Sequence, residues 1–171
     1  MTASSTVFKV GTRASDLSRR QTATTLQHLA DLLPDHAFET VVLSSPGDRD
    51  KQTDLRASDP DFFTRDLDDA VLDGRLDLAI HSAKDVPRPV RHGLDWVWLP
   101  WREDPRDVLV LPRGRTRAQL PAGPRVGVSS HRREEWILQH LPGAQLQSIR
   151  GTIEERLARL DDDYYDGLID K

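Results

Sequence analysis

Residues 76–87, LDLAIHSAKDVP, run from a short apolar stretch into His81, Ser82, Lys84 and Asp85, and end at a proline. An open α/β sheet delivers reactive groups to a ligand crevice in this way, because loops at the carboxyl ends of strands combine polar freedom with a rigid base. The elements around it fit such a sheet. Upstream, Asp61 to Leu72 carries Phe63, Leu67, Ala70 and Val71 on one helical side, with Asp61 as its cap and Gly74 after its end, which makes Leu76 to Ile80 a central strand. Val7 to Val10 reads as a strand followed by Gly11-Thr12-Arg13. A helix then begins at Ser15, with Leu26, Leu29, Ala30 and Leu33 at three- and four-residue spacing before Pro34. Phe38 to Leu43 is a second strand, rich in β-branched residues. It opens at Ser44-Ser45-Pro46-Gly47-Asp48 into a polar excursion that reaches Pro60 without periodicity and reads as a mobile loop. Two βαβ-like units in about 80 residues predict a largely parallel sheet covered by helices.

Downstream, Leu94 to Trp101 alternates Trp96 and Trp98 with Val97 and Leu99. A strand lining the core and a domain boundary is the expectation, ahead of a stacking platform for an aromatic ligand. Pro100 to Pro105 is the hinge candidate. It separates a first α/β domain, residues 1–99, from a second, residues 106–171. Within the second, Val108 to Leu111 reads as a strand, Arg117 to Leu120 as a short helical piece and Val126 to Val128 as another strand. Ser129 and Ser130 lead into a helix with Trp136, Ile137 and Leu141. Leu146 to Ile149 is strand-like, Thr152 and Glu155 have capping-box spacing ahead of a helix with Leu157 and Leu160, and Gly167 to Ile169 begins a last strand.

Composition bounds the function. The 171 residues are 37% hydrophobic and 30% charged, with a formal charge of −4, which gives no global attraction for nucleic acid or an anionic membrane. The signs are uneven: acidic residues crowd Asp48 to Asp77, whereas Arg125, Arg132, Arg133, Arg150, Arg156 and Arg159 make the carboxyl third basic. The absence of cysteine excludes thiolate nucleophiles and cysteine metal sites in this chain. No metal is expected, since His81 and Asp85 have no second histidine within a few residues. No apolar run approaches the roughly 20 residues of a membrane span, and the start has no signal-peptide pattern, so a cytoplasmic location is the expectation.

Three strand ends combine backbone amides with cations: Gly11-Thr12-Arg13, Ser129-Ser130-His131-Arg132-Arg133 and Arg150-Gly151-Thr152. Amides at a helix start favour anions, and a planar guanidinium adds bidentate bonds to carboxylates. The pattern points to an organic polyanion site; the bland alternative is solvated surface arginines and ordinary caps. Lys84 can serve as an electrostatic clamp or an amine nucleophile, and Asp85 can exchange protons with nitrogen or hold a cationic intermediate. Their adjacency also suits an exposed pair of little energetic weight.

These stretches resemble the amino-terminal, two-domain portion of the hydroxymethylbilane synthase (porphobilinogen deaminase) family. GTRASDLSRRQT, FFTRDLDDAVLDGRLDLAIHSAKDVP, GVSSHRREEWIL and SIRGTIEERLARLD are similar, in matching order from Gly11, to that family's motifs. The resemblance implies a periplasmic-binding-protein-like (type 2) fold of two α/β domains with a cleft between them, the second domain open to completion by further residues. It implies stepwise condensation of four porphobilinogen units into a linear tetrapyrrole with loss of ammonia, on a dipyrromethane cofactor. Carried over by position, Asp85 is the central catalytic group with Lys84 beside it. Arg13, Lys84, Arg132, Arg133, Arg150 and Arg156 bind acetate and propionate groups. Ser82, Ser129, Ser130 and Gly151 neighbour them, and Ser15 and Arg65 lie at the edge.

The chain departs from the pattern in places. The family joins its cofactor to a cysteine in a third domain, so a third domain or a partner chain beyond these residues is expected to supply it. Pro60 stands where the family has a loop lysine, His131 replaces a leucine, Thr152 an asparagine and Glu155 a threonine. Asp170 places a charge where an apolar strand residue belongs. A non-catalytic relative that binds a tetrapyrrole-like polycarboxylate and a partner-binding protein retaining only the fold are the alternatives.

Overall fold

The computed structural model of the chain describes residues 6–162 and 164–170. It divides into two units, one of Met1–Asp50 with Asp59–Trp98 and the other of Lys51–Ser58 with Leu99–Lys171. The fold is α/β.

In the first unit, β1 (Val7–Arg13) is followed by α1 (Asp16–Leu32), β2 (Ala37–Leu43), the single turn α2 (Pro46–Arg49), α3 (Arg65–Leu72) and β3 (Leu78–Ala79). β1 is the middle strand of a three-stranded parallel sheet, paired to β2 from Val7↔Ala37 to Arg13↔Leu43 and to β3 at Val10↔Leu78 and Gly11↔Ala79. Leu67, Ala70 and Leu76 form the apolar core, with Val41, Leu43, Val71 and Ala79 against them. Thr12, fully buried on β1, accepts a 2.8 Å hydrogen bond from Thr22, which gives α1 a polar docking point. Hence α1 buries Thr22 and Thr25, while Leu26 and Leu29 are half-buried and Ala30 and Leu33 exposed. The leucine spacing finds the helix but only the edge of its inward face.

Four sequence expectations need correction in this unit and its connections. The central strand is two residues long rather than Leu76 to Ile80, because beyond Ala79 only the Ile80 amide still reaches β1, donating to the Gly11 carbonyl at 3.0 Å. Asp61 does not cap α3: Thr64 is its N-cap, and the Asp61 carboxylate accepts from Arg65 instead. The stretch from Ser44 to Pro60 is not featureless. Ser45 and Asp48 form a capping box on α2, and Leu55–Ala57 is a 3-10 helix. Leu94 to Trp101 is no core strand: among the described residues no strand forms between β3 and Val108. Trp96 and Trp98 are about half exposed and pack edge to face on each other, 4.5 Å between centroids, beside Val86, Pro89 and Val90.

The second unit contains β4 (Val108–Val110), a 3-10 turn at Arg117–Gln119, β5 (Arg125–Val128), α4 (His131–His140), β6 (Gln145–Ser148), α5 (Ile153–Asp161) and β7 (Gly167–Asp170). The sheet order is β4-β7-β5-β6. β5 is parallel to β6 and β7, and β4 is antiparallel to β7 with Val108 opposite Asp170. Val126, Val128, Ile137 and Ile169 form one apolar cluster, and Ile149, Leu160, Tyr165 and Leu168 another. Only Ile137 of the expected apolar face of α4 is fully buried, because Trp136 stacks on the His140 ring at 4.2 Å on the outside. Thr152 and Glu155 make the expected capping box on α5. Lys51 and Arg56 are ion-paired to Glu155 and Glu134 in this unit. Among the described residues, no helix is long and apolar enough to cross a membrane.

These features set stabilities. Ile137→Ala is expected to cost about 2–5 kcal/mol through the cavity it leaves. Thr152→Ala is expected to cost about 1 kcal/mol through loss of the cap. Chemical denaturation followed by far-UV circular dichroism measures both.

Candidate functional site

The first unit gathers its polar groups beyond the carboxyl end of β1. Arg13 leaves the buried part of that strand with its side chain 18% exposed, and a guanidinium this far from water needs a partner. Asp48 supplies it: Arg13 Nε donates to Asp48 Oδ2 at 3.2 Å and Nη2 donates to Oδ1, a fork on a fork. The cation also lies over the Phe63 ring, 4.3 Å from its centroid. Gly47 makes this stack possible, since a Cβ there would strike the Phe63 ring. The capping box fixes Asp48 in turn, its Oδ2 accepting from the Ser45 amide at 2.9 Å and from the Ser45 hydroxyl at 2.8 Å.

Asp85 faces the same guanidinium, its Oδ2 3.8 Å from Arg13 Nη1, with its side chain 20% exposed. It sits in the 3-10 turn Ala83–Asp85, which the β3 strand carries into place. Burial pushes the Asp85 carboxyl above its ordinary value, against the lowering influence of the Lys84, Arg13 and His81 charges. Asp48 goes the other way. Burial raises it too, but the hydrogen bonds from Arg13 and Ser45 outweigh that and leave its carboxyl below the ordinary range. Two carboxylates on one arginine are therefore shifted in opposite directions.

The neighbouring positions are placed as follows. Lys84 is exposed beside Asp85. Ser82 donates to Gln21 Oε1 at 3.1 Å. His81 Nε2 lies 3.4 Å from Asp68 Oδ1, with both side chains largely buried. Ser15 is the N-cap of α1 and accepts from the Ser18 amide at 3.3 Å. Arg65 is engaged elsewhere, by Asp61 and by Asp59 at 2.8 Å.

The second unit presents its groups around the starts of α4 and α5. Ser130 caps α4 by accepting from the Arg133 amide, and Ser129 is half-buried before it. Arg132 is 71% exposed and reaches Asp107 at 2.6 Å; Arg133 is 8% exposed and reaches the same carboxylate at 2.9 Å. Burial pushes Asp107 up, but the bonds from Arg132 and the charge of Arg133 hold it below the ordinary value. Arg156 donates from Nε to the Gly151 carbonyl at 3.0 Å. Gly151 has φ +107°, a left-handed conformation that keeps the turn before Thr152 tight and that a side chain would strain. Arg150 is half-buried at the end of β6.

Sequence reasoning missed Asp48, Phe63 and Asp107 as partners of the arginines. Asp48 had a signal, the serine three residues before it; Asp107 had none, since only the pairing of β4 with β7 brings it to Arg133.

Both units are α/β layers that set guanidinium groups on carboxylates at strand ends and helix starts. The chain belongs to the porphobilinogen deaminase family: residues 8–169 match the family described as porphobilinogen deaminase, dipyromethane cofactor binding domain. It is 38% identical over 167 residues to the porphobilinogen deaminase of Syntrophotalea carbinolica, covering 97% of this chain and 53% of that protein. It is 40% identical over 165 residues to that of Deinococcus deserti, covering 94% and 53%, and 41% identical over 157 residues to that of Moorella thermoacetica, covering 91% and 50%. The chain thus spans about half the length of these relatives.

The two carboxylates on Arg13 give opposite pH signatures. Asp85 has a raised folded value, so its charged form costs the native state stability at neutral pH, and that cost disappears as pH falls through the folded value. Asp85→Asn is therefore expected to raise the melting temperature at pH 7 and to remove this contribution. Asp48 has a lowered value, so its contribution is present above the unfolded carboxyl value and is lost as pH falls through the folded one. Asp48→Ala is expected to cost about 1.5–3 kcal/mol at pH 7 and to flatten the acid limb of the stability profile. Melts by circular dichroism between pH 2 and pH 8 decide both.

Proposed function

We propose that this chain carries the pyrrole-handling groups of a hydroxymethylbilane synthase, which joins porphobilinogen units into a linear tetrapyrrole with release of ammonia. The observation that carries the reading is Asp85: a largely buried carboxylate with a raised pKa, beside Arg13 and next to Lys84, in a chain of this family. Its proposed role is twofold. The carboxylate accepts the pyrrole N–H and offsets the positive charge that develops as the aminomethyl nitrogen leaves. Its raised proton affinity suits proton exchange with that nitrogen. Lys84 and Arg13 set the local potential, and Ser15 and Ser82 offer hydroxyl groups nearby.

The acetate and propionate side chains of the substrate are assigned to Arg132, Arg133, Arg150 and Arg156, with Ser129, Ser130 and the amide of Gly151 as neighbours and Arg65 as an outlying contact. The dipyrromethane cofactor presents the same chemistry, carboxylates and pyrrole N–H donors, and so fits the same groups: the arginines for its acids, Asp85 for its nitrogens. When bound it supplies the attachment point for the growing chain. The sequence contains no cysteine, so the proposal places covalent attachment on residues of a third domain or a partner chain beyond these 171. The domain division at 1–99 and 106–171, the hinge at Pro100 to Pro105, the periplasmic-binding-protein-like (type 2) architecture and a cytoplasmic location belong to the same proposal.

The test uses the full-length protein loaded with dipyrromethane. On addition of porphobilinogen, ammonia and a linear tetrapyrrole are expected in a ratio of four to one, and Asp85→Asn is expected to slow ammonia release by about 10²–10⁴-fold while remaining folded. Porphobilinogen left unconsumed by the unmodified protein overturns the reading.

A further inference from the structure

β7 runs as a buried apolar strand, Gly167, Leu168 and Ile169, and then presents a carboxylate at Asp170. The antiparallel register that sets Val108 opposite Asp170 also brings Asp107 and Asp170 close together at one end of the sheet. Both converge on Arg133. Its Nε donates to Asp107 Oδ1 at 3.0 Å, while its Nη1 donates to Asp170 Oδ1 at 3.1 Å and to the Ile169 carbonyl at 3.4 Å. The other oxygen of Asp170, Oδ2, accepts from Arg156 Nη1 at 2.7 Å. One carboxylate thus bridges two arginines, with side-chain exposures of 8% for Arg133 and 14% each for Arg156 and Asp170.

A carboxylate in that position makes the contacts an incoming acetate or propionate would make: one oxygen on each of two guanidinium groups, in a site with little water to screen it. We propose that Asp170 is a specificity-determining residue, a built-in carboxylate that occupies the Arg133–Arg156 anion subsite, so that the acetate or propionate of a ligand engages those two arginines only by displacing it. The inference rests on the reading of Arg133 and Arg156 as carboxylate-binding groups. An internal group tethered on β7 competes at high effective concentration, and a second carboxylate brought to the same place meets like charge rather than two unshared cations.

The test is calorimetric titration of the full-length protein with tricarballylate, a flexible tricarboxylate. Asp170→Asn keeps the size of the side chain and one acceptor oxygen while removing its charge and its second acceptor, and is expected to tighten binding about tenfold. Asp170→Leu provides a second replacement should the amide disturb folding, which circular dichroism reports. Adding Arg156→Gln to either variant is expected to abolish the gain. Asp166→Asn removes an equal charge from the carboxylate paired with Arg125, and is expected to leave affinity within twofold. Equal affinity in the unmodified protein and the Asp170 variants, or an equal gain from Asp166→Asn, overturns the proposal. In Asp170→Asn the side-chain NMR resonances of Arg133 and Arg156 are expected to shift as tricarballylate is added; resonances that stay in place would also overturn it. Tightening in Asp170→Asn without ammonia release from porphobilinogen would remove the deaminase reading and leave the subsite intact.

Discussion

The pairing of each deeply placed arginine with a fixed carboxylate is the constraint on which the rest of the structure depends. A guanidinium at the end of a buried strand loses much of its hydration, and the sheet can carry it there only if a carboxylate is already positioned to receive it. Arg13 meets that condition through Asp48, which the Ser45 cap holds in place, and through the Phe63 ring beneath it. Arg133 meets it through Asp107 and Asp170, brought together by strand register. Neither cation could be moved without rebuilding the turn or the sheet edge that supplies its partner.

This requirement separates two kinds of acidic residue. Asp48 and Asp107 sit inside well-formed hydrogen bonds and are held as anions, so they act as structural counter-charges. Asp85 has only a 3.8 Å approach to Arg13 and no hydrogen bond to it, and the burial it shares with Asp48 is not offset. Its proton affinity is therefore open to change by whatever approaches. A polar group left under-satisfied in a folded chain is a cost to stability that function commonly requires.

Much of this architecture was legible from residue order. Strand ends followed by glycine, serine and arginine gave the polar ends of β1, β5 and β6, and the Thr152 to Glu155 spacing gave the start of α5. What failed depended on contacts that spacing does not encode. The buried face of α1 is built from threonines because its partner on β1 is Thr12, and a search for periodic leucines passes over it. The stretch around Asp48 looked aperiodic because a four-residue helix is too short for a period to appear, although its Ser45 cap was there to be read. The site arginines were visible as cations, but not which carboxylates they already hold.

The tryptophans carry a practical consequence for anyone studying the chain in solution. Of the four indoles, Trp96, Trp98 and Trp136 are 49%, 45% and 40% exposed, and Trp101 is half-buried. Their emission in the native state is already that of rings in contact with water, so unfolding changes its wavelength little. Intrinsic fluorescence is thus a poor gauge of denaturation for this chain.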